Sequence, residues 1–325
     1  MVLGEQFSHF FENRHPMKKI IDLLNAYQND QISKSEFIQE MYETHHTGLF
    51  EYADHLKKTN IKKIEIEDGR VVMTSRDRGA RMHCVPGDYR VAPLETLNFF
   101  DYEKSDSAIM DGLIEDNFVF FDIGANIGWY SINLALAHRS AQIHSFEPIP
   151  TTYKYLERNL RLNHLSNVTT HNFGFSDRSG EFDFYFYKEG SGNASSANLS
   201  NREDVQVCKC QVQTLDEFTA EKNTKIDFIK CDVEGAELLV YKGGLETIKR
   251  DQPIVFSEIL RKWSAKFDYD PNEIFSLFSE LGYQAFTAKD KGLQEFFQMD
   301  ELTLDTNFFF LHKQKHSQQI KKLTV

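Results

Sequence analysis

Cysteine is scarce in this 325-residue chain, which has four: Cys84, Cys208, Cys210 and Cys231. Cys208 and Cys210 are one residue apart on a stretch that alternates like a strand, so they point the same way. That is not zinc-ribbon spacing, and no histidine cluster accompanies it. The expectation is reduced, buried or half-buried thiols in a reducing compartment. Basic charge is also in deficit. Lys and Arg number 37 against 49 Asp and Glu, a formal charge of −12. A duplex nucleic-acid binder needs a basic face to neutralise phosphates, so nucleic acid is not an expected partner. No run approaches the roughly 18 apolar residues of a membrane span. The first residues, Met1–Ser8, lack a basic segment followed by an apolar one, so no signal peptide is read. The expected location is cytoplasmic. What is present suffices for a core: 41% hydrophobic residues and 28 Phe, in a length that suits one large or two modest domains.

Residues 1–60 read as a helical extension. Met17, Ile20, Ile21, Leu24 and Tyr27 fall on one helical face. Ser33-Lys-Ser-Glu36 is a capping box that opens a second helix, with His45 and His46 near its end. These apolar stripes need a partner and could dimerise, giving a homo-oligomer. Residues 61–115 read as a hairpin, turned at Asp68-Gly69, and a lead-in helix over 102–114. From residue 116 strands and helices alternate, which predicts a parallel sheet with right-handed crossovers. Strands are expected at 118–123, 142–146, 167–172, 226–231, 253–258, 283–287 and 307–311. Helices are expected over 128–138, 151–163 and 235–249, with another opened by Pro271. Between them, 181–212 reads as an inserted hairpin around a mobile Gly/Ser/Asn-rich loop, 188–204. The domain built this way spans 116–312, and 313–325 is a polar, frayed tail.

The chain is organised around Val119–Gly128 and Gln142–Glu147. A buried strand ends in a turn bearing Gly124 and Gly128, opens a helix, and is followed by a strand ending in Glu147. Glycines there let a ligand approach the backbone, and the helix N-terminus offers free N–H groups. The spacing is G-x-x-x-G, not the dinucleotide G-x-G-x-x-G, so a pyrophosphate fits poorly. Asp122 beside the turn suits a ligand ammonium, and Glu147 suits ribose hydroxyls. An ammonium, a ribose and no pyrophosphate together point to S-adenosylmethionine. The plainer alternatives are a helix cap for Asp122 and a surface charge for Glu147.

Asp122-Ile-Gly-Ala-Asn-Ile-Gly128, Phe146-Glu-Pro148 and Lys230-Cys-Asp-Val-Glu-Gly-Ala-Glu237 together closely resemble the FkbM family of S-adenosylmethionine-dependent methyltransferases. Tyr102-Glu103, Gly174–Asp177, Thr214–Asp216 and Glu258 fit as well, so the resemblance covers about residues 95–312. It implies a class I methyltransferase, Rossmann-like α/β fold, with a seven-stranded, mostly parallel sheet whose last strand runs antiparallel. It implies methyl transfer to a hydroxyl, commonly of a sugar or natural product. Asp122, Gly124, Asn126 and Gly128 would line the methionine end of the cofactor, with Glu103 upstream. Glu147 would hold the ribose, and Asn172 and Phe173 would lie near the adenine.

The resemblance also implies that Lys230, Asp232, Glu234 and Glu258 gather at the carboxyl edge of the sheet as catalytic residues. Removing a hydroxyl proton needs a base, and Asp232, just past its strand, is the first choice. Glu234 and Glu258 are alternatives. Glu234 could instead favour a helix start, and Lys230 could simply pair with an acid. The acids could equally hold a divalent cation, which is not the favoured reading. Arg76, Arg78, Arg81 and Arg90 could meet an acidic acceptor or form internal ion pairs. The leading expectation is an O-methyltransferase acting on a carbohydrate, whether a glycan or a nucleotide-linked sugar, or on a related natural product. The alternatives are a polyketide, lipid or peptide acceptor, an NAD-dependent oxidoreductase, and an inactive cofactor-bound module.

Overall fold

The computed structural model describes residues 18–187, 190–199, 205–289 and 292–324. The chain divides into two compact units, Met1–Thr59 and Asn60–Val325. In the first, α1 (Ile20–Gln28) buries Leu23, while Ile20 and Ile21 are exposed. Met17 of the expected apolar stripe lies outside the described residues. The capping box forms as read and opens α2 (Lys34–Met41): Ser33 Oγ accepts from the Glu36 N–H at 3.2 Å, and the Glu36 carboxylate accepts from the Ser33 N–H at 2.8 Å. The helix does not end at His45-His46. It continues through a π-helical turn, Tyr42–His46, into α3 (Thr47–His55). Ile38, Leu49 and Phe50 on these helices are exposed.

The second unit opens with the expected hairpin, β1 (Ile61–Glu67) and β2 (Arg70–Ser75), to which β3 (Arg81–His83) adds a third strand. Two helices follow, α4 (Ala92–Phe99) and α5 (Lys104–Leu113). Then comes the alternation: β4 (Val119–Ile123), α6 (Trp129–Ala137), β5 (Gln142–Phe146), α7 (Pro150–Leu162) and β6 (Val168–His171). The insert is a separate four-stranded sheet rather than a hairpin with a loop. It comprises β7 (Gly174–Phe175), β8 (Gly180–Tyr187), β9 (Gly190–Ser195) and β10 (Gln206–Gln213), in the order β7-β10-β8-β9. Part of the expected loop is therefore strand β9, which pairs with β8. Residues 188–189 and 200–204 lie outside the described set.

The winding resumes with α8 (Leu215–Lys222), β11 (Phe228–Cys231), α9 (Glu237–Lys242), α10 (Leu245–Asp251) and β12 (Ile254–Glu258). The single helix expected over 235–249 is two, because Gly243 and Gly244 form a close crossing. A Cβ on Gly243 would lie 2.0 Å from the Ser176 carbonyl oxygen, and one on Gly244 2.7 Å from Leu215 Cδ2. Asp216 accepts from the Thr247 N–H at 2.7 Å and so restarts the second helix. The chain closes with α11 (Arg261–Ser264), α12 (Asn272–Glu280), β13 (Tyr283–Lys289), β14 (Gly292–Phe296), β15 (Asn307–His312) and α13 (Ser317–Leu323). The last helix corrects the frayed tail: Ile320 and Leu323 pack on the core, and His316 is buried.

The main sheet runs β14-β13-β15-β12-β11-β4-β5-β6. Strands β6, β5, β4, β11 and β12 are parallel, and β15 is antiparallel to both its neighbours, β12 and β13. The seven expected strands are in place, and β14 adds an eighth at the edge. Central strands covered on both faces read as continuous apolar runs, and here each face has its own core. Phe121, Ile229, Val255 and Phe310 point to one, beneath α8–α10 and α12. Phe120, Phe228, Phe256 and Phe309 point to the other, beneath α5, α6 and α13. The fold thus fixes the carboxyl ends of β4, β5, β11 and β12 side by side, where open α/β sheets take ligands.

Candidate active site

A cavity of about 270 Å³ lies over those strand ends. Its floor is the turn after β4. Gly124 has φ +76°, and a Cβ there would sit 1.8 Å from the Asp232 carbonyl oxygen, so the turn is pressed against the loop after β11. Gly128 has φ +94°, and a Cβ there would meet Leu156 Cδ1 of α7 at 2.7 Å. The G-x-x-x-G spacing thus reflects two close approaches on opposite sides of one turn. Gly124 and Asn126 line the cavity; Gly128 does not.

Asp122 is fully buried below the floor. Its Oδ2 accepts from the Ser131 N–H at 3.1 Å and from Ser131 Oγ at 2.5 Å, which ties β4 to the first turn of α6. The helix-cap alternative describes this geometry better than a contact with a ligand. Glu147 does line the cavity. Its carboxylate accepts from the Ile149 N–H at 2.9 Å and the Asn126 N–H at 3.0 Å. Burial pushes Glu147 up to about 7, and those two backbone bonds oppose the rise. Asn172 and Phe173 stand behind the site. Asn172 Nδ2 donates to the Glu147 and Pro148 carbonyls, and Phe173 packs edge-on against Phe146 at 5.5 Å between centroids.

At the other end, Lys230, Asp232, Glu234 and Glu258 all reach the cavity. The Lys230 side chain is 3% exposed. Its Nζ donates to the Gly124 carbonyl at 2.8 Å and lies 3.3 Å from Asp232 Oδ2 and 3.5 Å from Asp122 Oδ1. Burial alone would lower its pKa, but Asp232 and Asp122 outweigh that and hold the ammonium above its ordinary value. Lys230 is therefore a fixed cation, not a base. Glu234 adopts φ +57°, a left-handed conformation uncommon outside glycine. Burial, then the charges of Asp232 and Glu258, push it well above the usual carboxylate range. Glu258 is raised by burial, by the charge of Asp232 and by a hydrogen bond with it. Glu234 Oε2 is buried with no hydrogen-bond partner, and Asp232 Oδ1 has none besides the Glu258 carboxyl. One oxygen from each of the three acids lies within 4.8 Å of the others, a spacing that could admit a divalent cation, although Lys230 already faces Asp232.

Glu103 sits behind the cavity wall. It accepts from the Tyr130 hydroxyl and from Asn307 Nδ2, and burial raises it to about 7. The aromatic walls were not anticipated as such. Trp129 and Tyr130 follow Gly128 directly, Tyr102 packs edge-on against Trp129 at 5.4 Å, and Trp263, whose main chain and Cβ abut Gly235, also lines the cavity. The aromatic doublet after the last turn glycine was the available signal. Phe184 of the inserted sheet also lines the cavity, and no local pattern marks it. Of the four arginines, Arg78 pairs with Asp111, Arg81 lies 3.5 Å from Glu65, and Arg76 donates to the Ile61 carbonyl. Arg90 alone of the four lines the cavity.

Among the described residues no helix is long and apolar enough to cross a membrane. The family model described as "Methyltransferase FkbM domain" matches residues 122–285, just over half of the chain. Methyltransferase 1 of Beauveria bassiana is 27% identical over 147 residues, covering 40% of this chain and 59% of that protein. The 2-O-methyltransferase NoeI of Sinorhizobium fredii is 29% identical over 148 residues, covering 41% of this chain and 59% of that protein. The chain thus spans well under two thirds of these curated relatives. The crystal structure of methyltransferase FkbM from Methylobacillus flagellatus is similar at 19% identity and a TM-score of 0.40, covering 61% of this chain and 45% of that one. With the family model matched from Asp122 of the glycine turn through the Asp232–Glu237 block to β13, the chain belongs to the FkbM methyltransferase family.

Proposed function

We propose that this chain is an S-adenosylmethionine-dependent O-methyltransferase whose acceptor is a hydroxyl of a carbohydrate, free or nucleotide-linked, or of a related natural product. One observation carries the reading: the Asp232, Glu234 and Glu258 carboxyls open into the same cavity as the glycine turn and Glu147. The residues fit the cofactor. The space a Gly124 Cβ would need is absent, so the turn stays low, and buried acid oxygens lack partners. Glu147 would hold the ribose, and the turn around Gly124 and Asn126 the methionine end. When bound, the cofactor supplies an electrophilic methyl on a sulfonium, which leaves as the neutral thioether once the acceptor oxygen has attacked the methyl carbon.

The remaining chemistry belongs to the protein. Asp232 accepts the hydroxyl proton. Glu258, protonated, orients Asp232, and Lys230 fixes it from below while holding the Gly124 carbonyl. Tyr102, Trp129 and Trp263 offer apolar faces beside these acids, which suits a ring with C–H faces and hydroxyl edges. The name of the relative NoeI, a 2-O-methyltransferase, supports oxygen as the methylated atom.

The test is transfer of labelled methyl from S-adenosylmethionine to panels of free sugars, nucleotide sugars, glycans and hydroxylated natural products, with the labelled atom located by NMR. Label on oxygen is expected. Label on nitrogen or carbon overturns the acceptor chemistry. Tight cofactor binding with no transfer to any acceptor favours a non-catalytic module.

A further inference from the structure

We propose that Arg90 is the anion subsite of this cavity and receives the α-carboxylate of the cofactor's methionine moiety. The assignment rests on the S-adenosylmethionine reading above. Glu147, Asp232, Glu234 and Glu258 make the cavity wall predominantly acidic. Such a wall suits a sulfonium and an ammonium but repels a carboxylate, which needs a cation with donors to spare.

Among the described residues two cations line the cavity, Arg90 and Lys230. Lys230 is committed, with its ammonium enclosed by the Gly124 carbonyl, Asp122 and Asp232. Arg90 is not. Its ion partner is Glu95, with Nε 3.9 Å from Oε1, beyond hydrogen-bond reach, and its side chain is 60% exposed. A pair that open is worth little and yields readily to a better ligand. The main chain at Arg90 is nevertheless fixed: its N–H donates to the carboxylate of buried Asp88 at 3.0 Å, and α4 begins two residues on.

Five of the amides from Gly124 to Ser131 are already taken. The Gly124 and Ala125 N–H groups donate to the Phe146 carbonyl, Asn126 N–H to Glu147, Gly128 N–H to the Ala125 carbonyl, and Ser131 N–H to Asp122. A guanidinium fork, in contrast, matches a carboxylate with two parallel bonds.

Calorimetry with S-adenosylhomocysteine and with 5′-methylthioadenosine, which lacks the amino-acid moiety, tests this on the whole chain. Arg90→Gln should weaken S-adenosylhomocysteine by about fivefold to tenfold, as expected for losing a charge-assisted pair at a half-open site, and leave 5′-methylthioadenosine unchanged. Glu95→Gln, which removes the competing carboxylate, should not weaken either ligand. Equal losses for both ligands in Arg90→Gln overturn the assignment. So does an unchanged S-adenosylhomocysteine affinity with a raised KM for the acceptor, which would put Arg90 on an acidic group of the acceptor instead. A wild-type protein that binds neither ligand overturns the cofactor reading, and this one with it.

Discussion

The two ends of the cavity are built on opposite principles. At the Glu147 end, the carboxylate is buried but satisfied, with backbone N–H groups on both its oxygens. At the acid end, Glu234 Oε2 is buried without a partner, Asp232 Oδ1 has only the Glu258 carboxyl, and Glu234 holds a left-handed backbone. A buried polar group left unpaired costs on the order of 1–3 kcal/mol. The Glu147 end is thus a finished surface that needs no ligand to be stable. The acid end stores cost that a substrate hydroxyl can relieve, as expected where function opposes stability.

The sharpest way to break this contrast is to remove the acid end's charge while leaving its shape. Asp232→Asn is expected to lower turnover by about 10²–10⁴-fold, the usual range for a lost general base. Affinity for S-adenosylhomocysteine should stay within about twofold, because the Asn keeps the fold around Lys230. A fully active variant would remove Asp232 from proton transfer and erase the functional difference between the two ends.

Gly124→Ala attacks the floor the ends share. The new methyl would lie 1.8 Å from the Asp232 carbonyl, in a backbone at φ +76°. The backbone must move, at a cost on the order of 2–4 kcal/mol. Thermal melts should show that loss together with weakened binding at both ends. A normal melting temperature would mean that the turn and the β11 loop are not rigidly pressed together.

How much of this was readable beforehand differs between the two ends for a physical reason. Glu147 and Gly124 are set by one local unit, a strand–turn–helix–strand, and local spacing announces such a unit. Asp122 was equally visible, yet it points down to Ser131 rather than up into the cavity. A side chain's direction at a strand end depends on the pleat and the first helical turn together. The seven-stranded order followed from alternation, but edge strand β14 is short, and three of its five residues are half-buried or exposed, so its pattern is faint. The break between α9 and α10 needed knowledge of Ser176, which is 67 residues away from Gly243. Phe184 and Arg90 reach the cavity from an inserted sheet and a pre-domain loop, where neither periodicity nor turn chemistry points to a partner.

A smaller effect separates the ends by pH. Glu147 sits at about 7, so its ionised form, the better acceptor for ribose hydroxyls, is lost as pH falls through 7. Affinity for S-adenosylhomocysteine should weaken from pH 8 to pH 6, by at most about tenfold per pH unit for one group. Glu147→Gln should bind more weakly at pH 8 and flatten the dependence. A slope that persists in Glu147→Gln would shift the titration to the acid end, where Glu234 and Glu258 are also raised.

The smallest effect tests whether a raised carboxyl outside the cavity matters to either end. Glu103 is held at about 7 by burial, against an ordinary value near 4.5. A group raised on folding stabilises fully below its unfolded pKa, and that contribution is lost as pH rises through the folded value. Replacing it by a neutral Gln should therefore shift the melting temperature upward relative to wild type at pH 8, and less so or not at all at pH 5. Gln can still accept from the Tyr130 hydroxyl through its carbonyl oxygen, at the expense of the bond that Asn307 Nδ2 now donates to Glu103. Cofactor affinity should change by less than about threefold, since Glu103 touches the cavity only through Tyr130. A large loss of binding in Glu103→Gln, with the fold intact, would mean that Tyr130 needs a charged partner to hold its place in the wall, and that the acid end, whose Asp232 and Glu258 charges act on Glu103, extends back to it.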